Sequence, residues 1–228
     1  MDSAFESTIP QFDFHNDAYL EKQNKINQYF LERQKRANEA TSSENNYQEI
    51  DRSTVESFLS QNSRYDTTNT QAFRIMEQED NYCTIVVDNY YYGGGAHGSQ
   101  WIEGYCVDLL TGQILSLSDL FGSAEDFRHF VANYFYTEYS SYSDLSDWSL
   151  ENLYKFFEDG DGANWYIEKD NLFVEYGDYA LGYYAAGHQL FSIPLDQCSS
   201  YWTDTFINTI HNLRALNKYT KRSVKVCA

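Results

Sequence analysis

The segment Tyr90–Gly98, YYYGGGAHG, has the glycine density of a phosphate-binding loop. Such a loop must run into a helix whose amide N–H groups hold the anion. Here the chain continues into the strand-like stretch Trp101–Asp108, no lysine accompanies the glycines, and the surroundings are acidic. The segment therefore reads as a wide hairpin turn whose glycines supply positive φ or close backbone approach. Its tip carries Gly94, Gly95 and His97, and its candidate use is a protein-recognition edge.

Other reactive side chains are scattered. Glu125 and His129 lie four apart on a predicted helix and share a face, but two such groups do not make a metal site. His97 and His188 both adjoin glycines near predicted strand ends. Two readings stay open for them: they approach one another in space, or each is a loop histidine bonded to backbone. Asp159-Gly160-Asp161-Gly162 has the start of a calcium loop, yet the twelve-residue pattern demands glycine where Asn164 stands and glutamate where Asp170 stands. There is no G-x-S-x-G and no H-E-x-x-H. Carboxylates are so numerous that pairing any two as acid and base has no specificity. The expectation is a chain that is not an enzyme, with no metal and no cofactor.

The four cysteines, Cys83, Cys106, Cys198 and Cys227, have no C-x-x-C spacing. In a bulge-free hairpin, opposed residues share a constant index sum. Centring the turn between Gly94 and Gly95 makes that sum 189, which Cys83 and Cys106 satisfy. They would then face each other within disulfide reach, leaving Cys198 and Cys227 as a second pair. A bulge near Gly95 would shift the sum by one and put the thiols on opposite faces. The alternative is buried thiols acting as small apolar residues.

Positioning these groups requires a folded body, and the composition supplies one. The 228 residues include 21 Tyr, 15 Phe and 4 Trp, far from the aromatic-poor composition of disordered chains. From 17 to 39 the sequence reads as an amphipathic helix carrying Leu20, Ile26, Phe30 and Leu31. Residues 41–49 read as a polar loop, and 54–59 as a weaker helix. Segments 72–79, 81–92, 100–108 and 113–117 are strand-like, and Ser118–Phe121 closes this section. Helical spacing returns at 124–139, with Ser123 as a cap and Asp126 three residues on. Residues 149–158 form another helix, 165–169 and 172–176 a hairpin, 189–195 a strand and 202–216 a final helix. Strand blocks alternating with helices, without βαβ units, predict a single α+β domain over 1–228 with antiparallel sheet and a basic tail at 217–228.

Charge narrows the partners. Against 34 acidic residues stand 16 basic ones, a net charge of −18. The basic residues Arg214, Lys218, Lys221, Arg222 and Lys225 cluster at the end, while 41–213 holds 27 acids and 6 bases. Such a field repels nucleic acid and anionic lipid and attracts cationic partners. No stretch approaches the length of a membrane helix, and Met1-Asp2-Ser3-Ala4 has neither the basic start nor the apolar run of a signal peptide.

Several ordered motifs resemble the family defined by the extracytoplasmic C-terminal domain of the anti-sigma factor RsiV. A related domain stands beside some peptidoglycan deacetylase domains as a non-catalytic part. The motifs are Tyr92-Gly93-Gly94-Gly95-Ala96-His97-Gly98, then Asp108-Leu109-Leu110-Thr111-Gly112, then Leu117-Ser118-Asp119-Leu120-Phe121. A second run is Asn164-Trp165-Tyr166-Ile167, Leu172-Phe173-Val174, Tyr184-Ala185-Ala186-Gly187 and Ile193-Pro194. Ile9-Pro10 and the helix bearing Asn24–Asn27 also fit, so the resemblance covers about 8–215. Tyr183 stands where the family has Pro, and Ala180 where it has Glu.

The resemblance implies an extracytoplasmic, non-catalytic binding domain recognising a cationic lysozyme-like protein. The alternative is a cell-wall-associated domain contacting peptidoglycan glycan through Tyr and Trp, and the third reading is a hydrolase with an unrecognised site. The expected contact surface is the Gly93–Gly98 turn or the Gly177–Gly187 loop, with Asp178, Tyr179, Tyr183 and Tyr184. Tyrosines there offer large contact area at low entropy cost; packing of those rings in the core is the competing reading.

Overall fold

The computed structural model describes residues 4–7, 9–14, 17–44, 68–79, 81–93, 95–141, 148–158, 162–211 and 225–227. The predicted helix at 54–59, the acidic turn 159–161 and the tail beyond 211, except 225–227, lie outside them, as does Gly94.

A five-stranded sheet runs in the order β1 (Ala4–Ser7), β3 (Thr68–Gln78), β4 (Tyr82–Tyr92), β5 (Ser99–Asp108), β6 (Gln113–Leu115). All its pairings are antiparallel except β1 with β3, which is parallel. A three-stranded antiparallel sheet follows in the order β7 (Trp165–Glu168), β8 (Asn171–Tyr176), β9 (Gln189–Pro194). A third, two-stranded pairing joins β2 (Gln11–Asp13) to β10 (Lys225–Cys227). The helices are α1 (Leu20–Glu44), α2 (Leu117–Phe121), α3 (Ala124–Tyr139), α4 (Leu150–Lys155) and α5 (Asp204–Phe206), the last continuing as a π-helix through His211. This is the expected α+β class, and the strands expected within 72–117 and 164–195 fall into two main sheets, antiparallel apart from β1 with β3.

Local chemistry explains the boundaries. Ser123 caps α3, its hydroxyl accepting from the Asp126 amide. Ser149 caps α4 in the same way through Asn152. Ser116 makes a full capping box with Asp119, so the strand expected to reach 117 stops at Leu115 and Ser118–Phe121 becomes helix.

Apolar alternation along β4 and β5 divides the interior. Cys83, Ile85, Val87, Tyr105 and Val107 face α1 and pack with Ile26 and Phe30. On the other face, Val86 and Ile102 meet Tyr166 of β7. The far side of β7–β9 presents Ile167, Val174 and Ile193 to Phe127, Val131 and Phe135 of α3.

Arg33, at helical spacing from Ile26 and Phe30, is only 8% exposed. Its guanidinium donates to the Glu103 carboxylate, to Tyr105 Oη at 2.6 Å and to Gln71 Oε1 at 3.2 Å. Burial alone would lower the guanidinium, but the neighbouring Tyr105 and Glu103 outweigh it and hold it raised. This group ties α1 to β3, β4 and β5 through one satisfied polar network.

The two main sheets touch where a side chain is missing. Gly104 N donates to Ala163 O at 2.6 Å, and a Cβ on Gly104 would overlap the Trp165 carbonyl oxygen. Both groups belong to backbone, so neither can swing away. Gly104→Ala is expected to destabilise the fold by about 3 kcal/mol, the upper range for overpacking a core. The check is a lowered midpoint in urea unfolding; a variant within about 0.5 kcal/mol of wild type would show that the sheets do not meet this way.

Candidate functional site

The β4–β5 turn is shaped by its own tyrosines. A Cβ at Gly98 would lie 2.6 Å from the Tyr90 ring, and one at Gly93 would lie 2.6 Å from Tyr91 Oη. Tyr92 Oη donates to the Gly95 carbonyl at 3.0 Å, and Gly95 has φ +99°. Bare backbone at these positions lets the rings fold over the turn and stiffen it.

Register through this turn corrects the disulfide expectation. Cys83 pairs with Val107, and Thr84 with Cys106. The index sum is therefore 190, and the hairpin centres on Gly95 itself. Cys83 consequently packs against the α1 side and Cys106 against the α3 side. Cys83, Cys106 and Cys198 are buried thiols in no disulfide, so the second pair, Cys198 with Cys227, is not formed either. Cys198 Sγ sits 3.8 Å from the Pro194 carbonyl. The Cys227 backbone pairs instead with Gln11. The thiols behave as small apolar groups, the alternative the sequence left open.

The two loops singled out in the sequence come together. The His97 ring stacks on Tyr184 with centroids 3.6 Å apart and planes 15° apart. His97 Nε2 lies 2.9 Å from Tyr179 Oη, and its Nδ1 is 3.0 Å from the Gly98 carbonyl. That pattern suits a neutral ring donating from Nδ1 to backbone and accepting the tyrosine proton at Nε2. Tyr179 and Tyr184 have centroids 5.7 Å apart. Tyr184 is therefore neither core nor free surface, since it fills the seam between turn and loop. Partial desolvation and nearby Asp178 push its phenol up from the ordinary value. Tyr179 and Tyr183 remain 55% and 57% exposed.

Asp178 does not present its charge outward as expected. Its side chain is 9% exposed. Oδ2 accepts from the Gln100 amide at 3.2 Å, and Oδ1 lies 3.3 Å from His188 Nε2. That second contact is an ion-pair approach and lacks hydrogen-bond geometry. The other nitrogen of His188, Nδ1, is 2.6 Å from Glu175 Oε1. His97 and His188 thus serve one cluster without touching: His97 takes backbone and tyrosine partners, His188 takes carboxylates. Sequence reading passed over Glu175. Its signal was the outward position in the β8 alternation, where Leu172, Val174 and Tyr176 point inward.

Elsewhere, His129 stacks on Tyr154 at 4.1 Å rather than joining Glu125 at a metal. Among the described residues no three His, Cys, Asp or Glu side chains converge to hold a metal ion. No helix among them is long and apolar enough to cross a membrane. A cavity of about 540 Å³ opens between α1 and β6 beside Lys25, Gln28 and Gly112, and shares no residue with the His97 cluster.

With this geometry in view, comparison with known proteins is informative. A family model described as deacetylase PdaC matches residues 3–100. A second, described as a protein of unknown function (DUF3298), matches residues 118–196. A crystal structure of a DUF3298-family member from Bacteroides fragilis superposes with TM-score 0.59 at 18% identity, covering 85% of this chain and 83% of that one. A DUF3298-family structure from Pseudomonas aeruginosa PAO1 gives TM-score 0.48 at 15% identity, covering 68% and 71%. No curated protein matches. The first structure establishes a shared fold. The chain therefore carries a PdaC-like segment followed by a DUF3298-like segment. His97 lies in the first and Asp178, Tyr179 and Tyr184 in the second, so the aromatic cluster is assembled from both.

The cysteine environments give a solution test. Burial pushes the Cys198 thiol up to about 12 and raises the Cys83 thiol as well, with nearby Cys106 and Glu77 adding to the effect. A thiol at that value is thiolate in roughly one part in ten thousand at pH 8. Iodoacetamide at pH 8 is expected to leave Cys83, Cys106 and Cys198 unmodified in the native protein and to label all three in urea. Peptide mapping that recovers a Cys83–Cys106 linkage would contradict the observed register.

Proposed function

We propose that this chain is a non-catalytic, extracytoplasmic protein-binding domain whose contact surface is the aromatic cluster of His97, Tyr179, Tyr183 and Tyr184, and whose partner is a cationic, lysozyme-like protein. The observation that carries the reading is the joining of two distant loops through His97 stacked on Tyr184, with Tyr179 and the adjacent Tyr183 left more than half exposed. Rigid, exposed aromatic rings are what anchors an interface at small entropy cost. The net charge of −18 supplies long-range attraction for a basic partner, and the exposed tyrosine faces suit its lysine and arginine side chains. The motif resemblance to the RsiV-type domain points the same way.

Because Asp178 is engaged internally, the contact energy is assigned to the rings, and the acidic surface at large contributes steering. Calorimetric titration with a cationic lysozyme is expected to show binding that weakens with added salt. Tyr183→Ala is expected to weaken it about 30-fold, roughly the 2 kcal/mol of an interface anchor, and Tyr179→Ala by a similar factor. Absence of binding by wild type, or unchanged affinity in both variants, would overturn the proposal. Retention on purified peptidoglycan without lysozyme binding would instead favour a glycan-contacting domain.

A further inference from the structure

His188 lies between two carboxylates that have little access to water. Glu175 and Asp178 are 14% and 9% exposed, and the ring itself 25%. A carboxylate removed from water needs a counter-charge or full hydrogen bonding. A neutral imidazole has one N–H and one lone pair, so it satisfies one of these carboxylates and turns a lone pair toward the other. Only the doubly protonated ring suits both. From this geometry we infer that charged His188 is the positioning residue of the aromatic platform, and that the platform loosens as rising pH removes its proton.

The route from His188 to the platform is short. Asp178 receives the Gln100 amide through its other oxygen, so it ties the 177–187 loop to β5. The next residue, Tyr179, has φ +64°, a left-handed conformation that is strained for a non-glycine residue and persists only where its surroundings enforce it. When Nε2 loses its proton, the 2.6 Å contact to Glu175 keeps the remaining N–H, and the lone pair faces Asp178. Asp178 is then repelled, the restraint on Tyr179 weakens, and the contact between Tyr179 Oη and His97 is released. Other charged and titratable groups face this cluster. Tyr184 lies near Asp178, and Tyr90 and Tyr179 lie near Tyr184. Arg74 acts on Glu175 from β3 but is forked onto Asp88 at 2.6 and 2.8 Å, and Tyr166 of β7 also senses Glu175. The sign follows from the geometry: the doubly protonated ring holds both carboxylates, and the neutral ring holds only Glu175.

The placement of His188 stands on geometry, and only its consequence for a partner rests on the binding proposal. The test follows the Gln100 amide by ¹H–¹⁵N spectroscopy of the full chain from about pH 5 to pH 8.5, the range in which histidine changes charge. In wild type, Gln100 is expected to move in a single step coinciding with the His188 ring protons. His188→Gln should remove that step while the remaining spectrum stays native-like. Asp178→Asn should remove the movement of Gln100 at the upper end of that range, because the uncharged side chain is not repelled by the ring's lone pair and its carbonyl still accepts from Gln100. A Gln100 resonance that does not move in wild type, or a step that persists in His188→Gln, overturns the inference. Lysozyme affinity at pH 6 and pH 8 is the second readout, with a fall of about tenfold expected in wild type and none in Asp178→Asn. Failure of lysozyme to bind at either pH counts against the binding proposal and leaves the amide result to decide the role of His188.

Discussion

A single close approach of backbone to backbone organises this protein. Gly104 sits in the middle of β5, and the β7 strand crosses so near that no side chain fits between them. The contact welds the five-stranded sheet to the three-stranded one. Trp165, at this contact, pairs with Val174 of β8, two residues before β8 ends and the 177–187 loop begins. Apolar packing fills the space around the contact, with Val86, Ile102 and Tyr166 between the sheets, but such packing is non-directional. The glycine contact is directional, and the meeting of His97 with Tyr184, 87 residues apart in sequence, depends on it.

Much of this was legible in the sequence, and the reason differs by element. Helix α3 was read to its ends because Ser123 supplies a cap and Phe127, Val131 and Phe135 keep helical spacing. The strands were found through their alternation. Register was missed by one residue, because it depends on which residue the turn centres on, and a run of three glycines does not reveal which one that is. That slip reversed the conclusion about Cys83 and Cys106, since neighbouring positions on a strand face opposite ways. Strand β1 escaped notice because four residues carry too little periodicity, and its pairing with β3 is parallel. Arg33 was legible in principle: it continues the Ile26, Phe30 series, and a charge on an apolar stripe announces a buried partner.

For the candidate site, residue types were readable and their company was not. Tyr179, Tyr183, Tyr184 and His97 stood out as aromatics at glycine-flanked turns. That the turn and the loop form one surface is a tertiary fact, and so is the inward direction of Asp178. An acid on a glycine-flanked loop in a chain of charge −18 looks like part of the solvated face. Here it bridges β5 and His188. The proposed reading is a division of labour in which buried carboxylates and histidine set the loop, exposed rings offer contact, and the acidity of the remaining surface provides attraction at a distance.

The central claim is that the turn and the loop act together as one binding surface. Titrating the ¹⁵N-labelled chain with a cationic lysozyme tests it most directly, because every amide reports at once. The account predicts that perturbed amides concentrate in 90–100 and 175–188, in both segments at the same lysozyme concentration, while those of α1 and α3 stay fixed. Perturbation confined to α1 or α3, or none at saturating lysozyme, would contradict it.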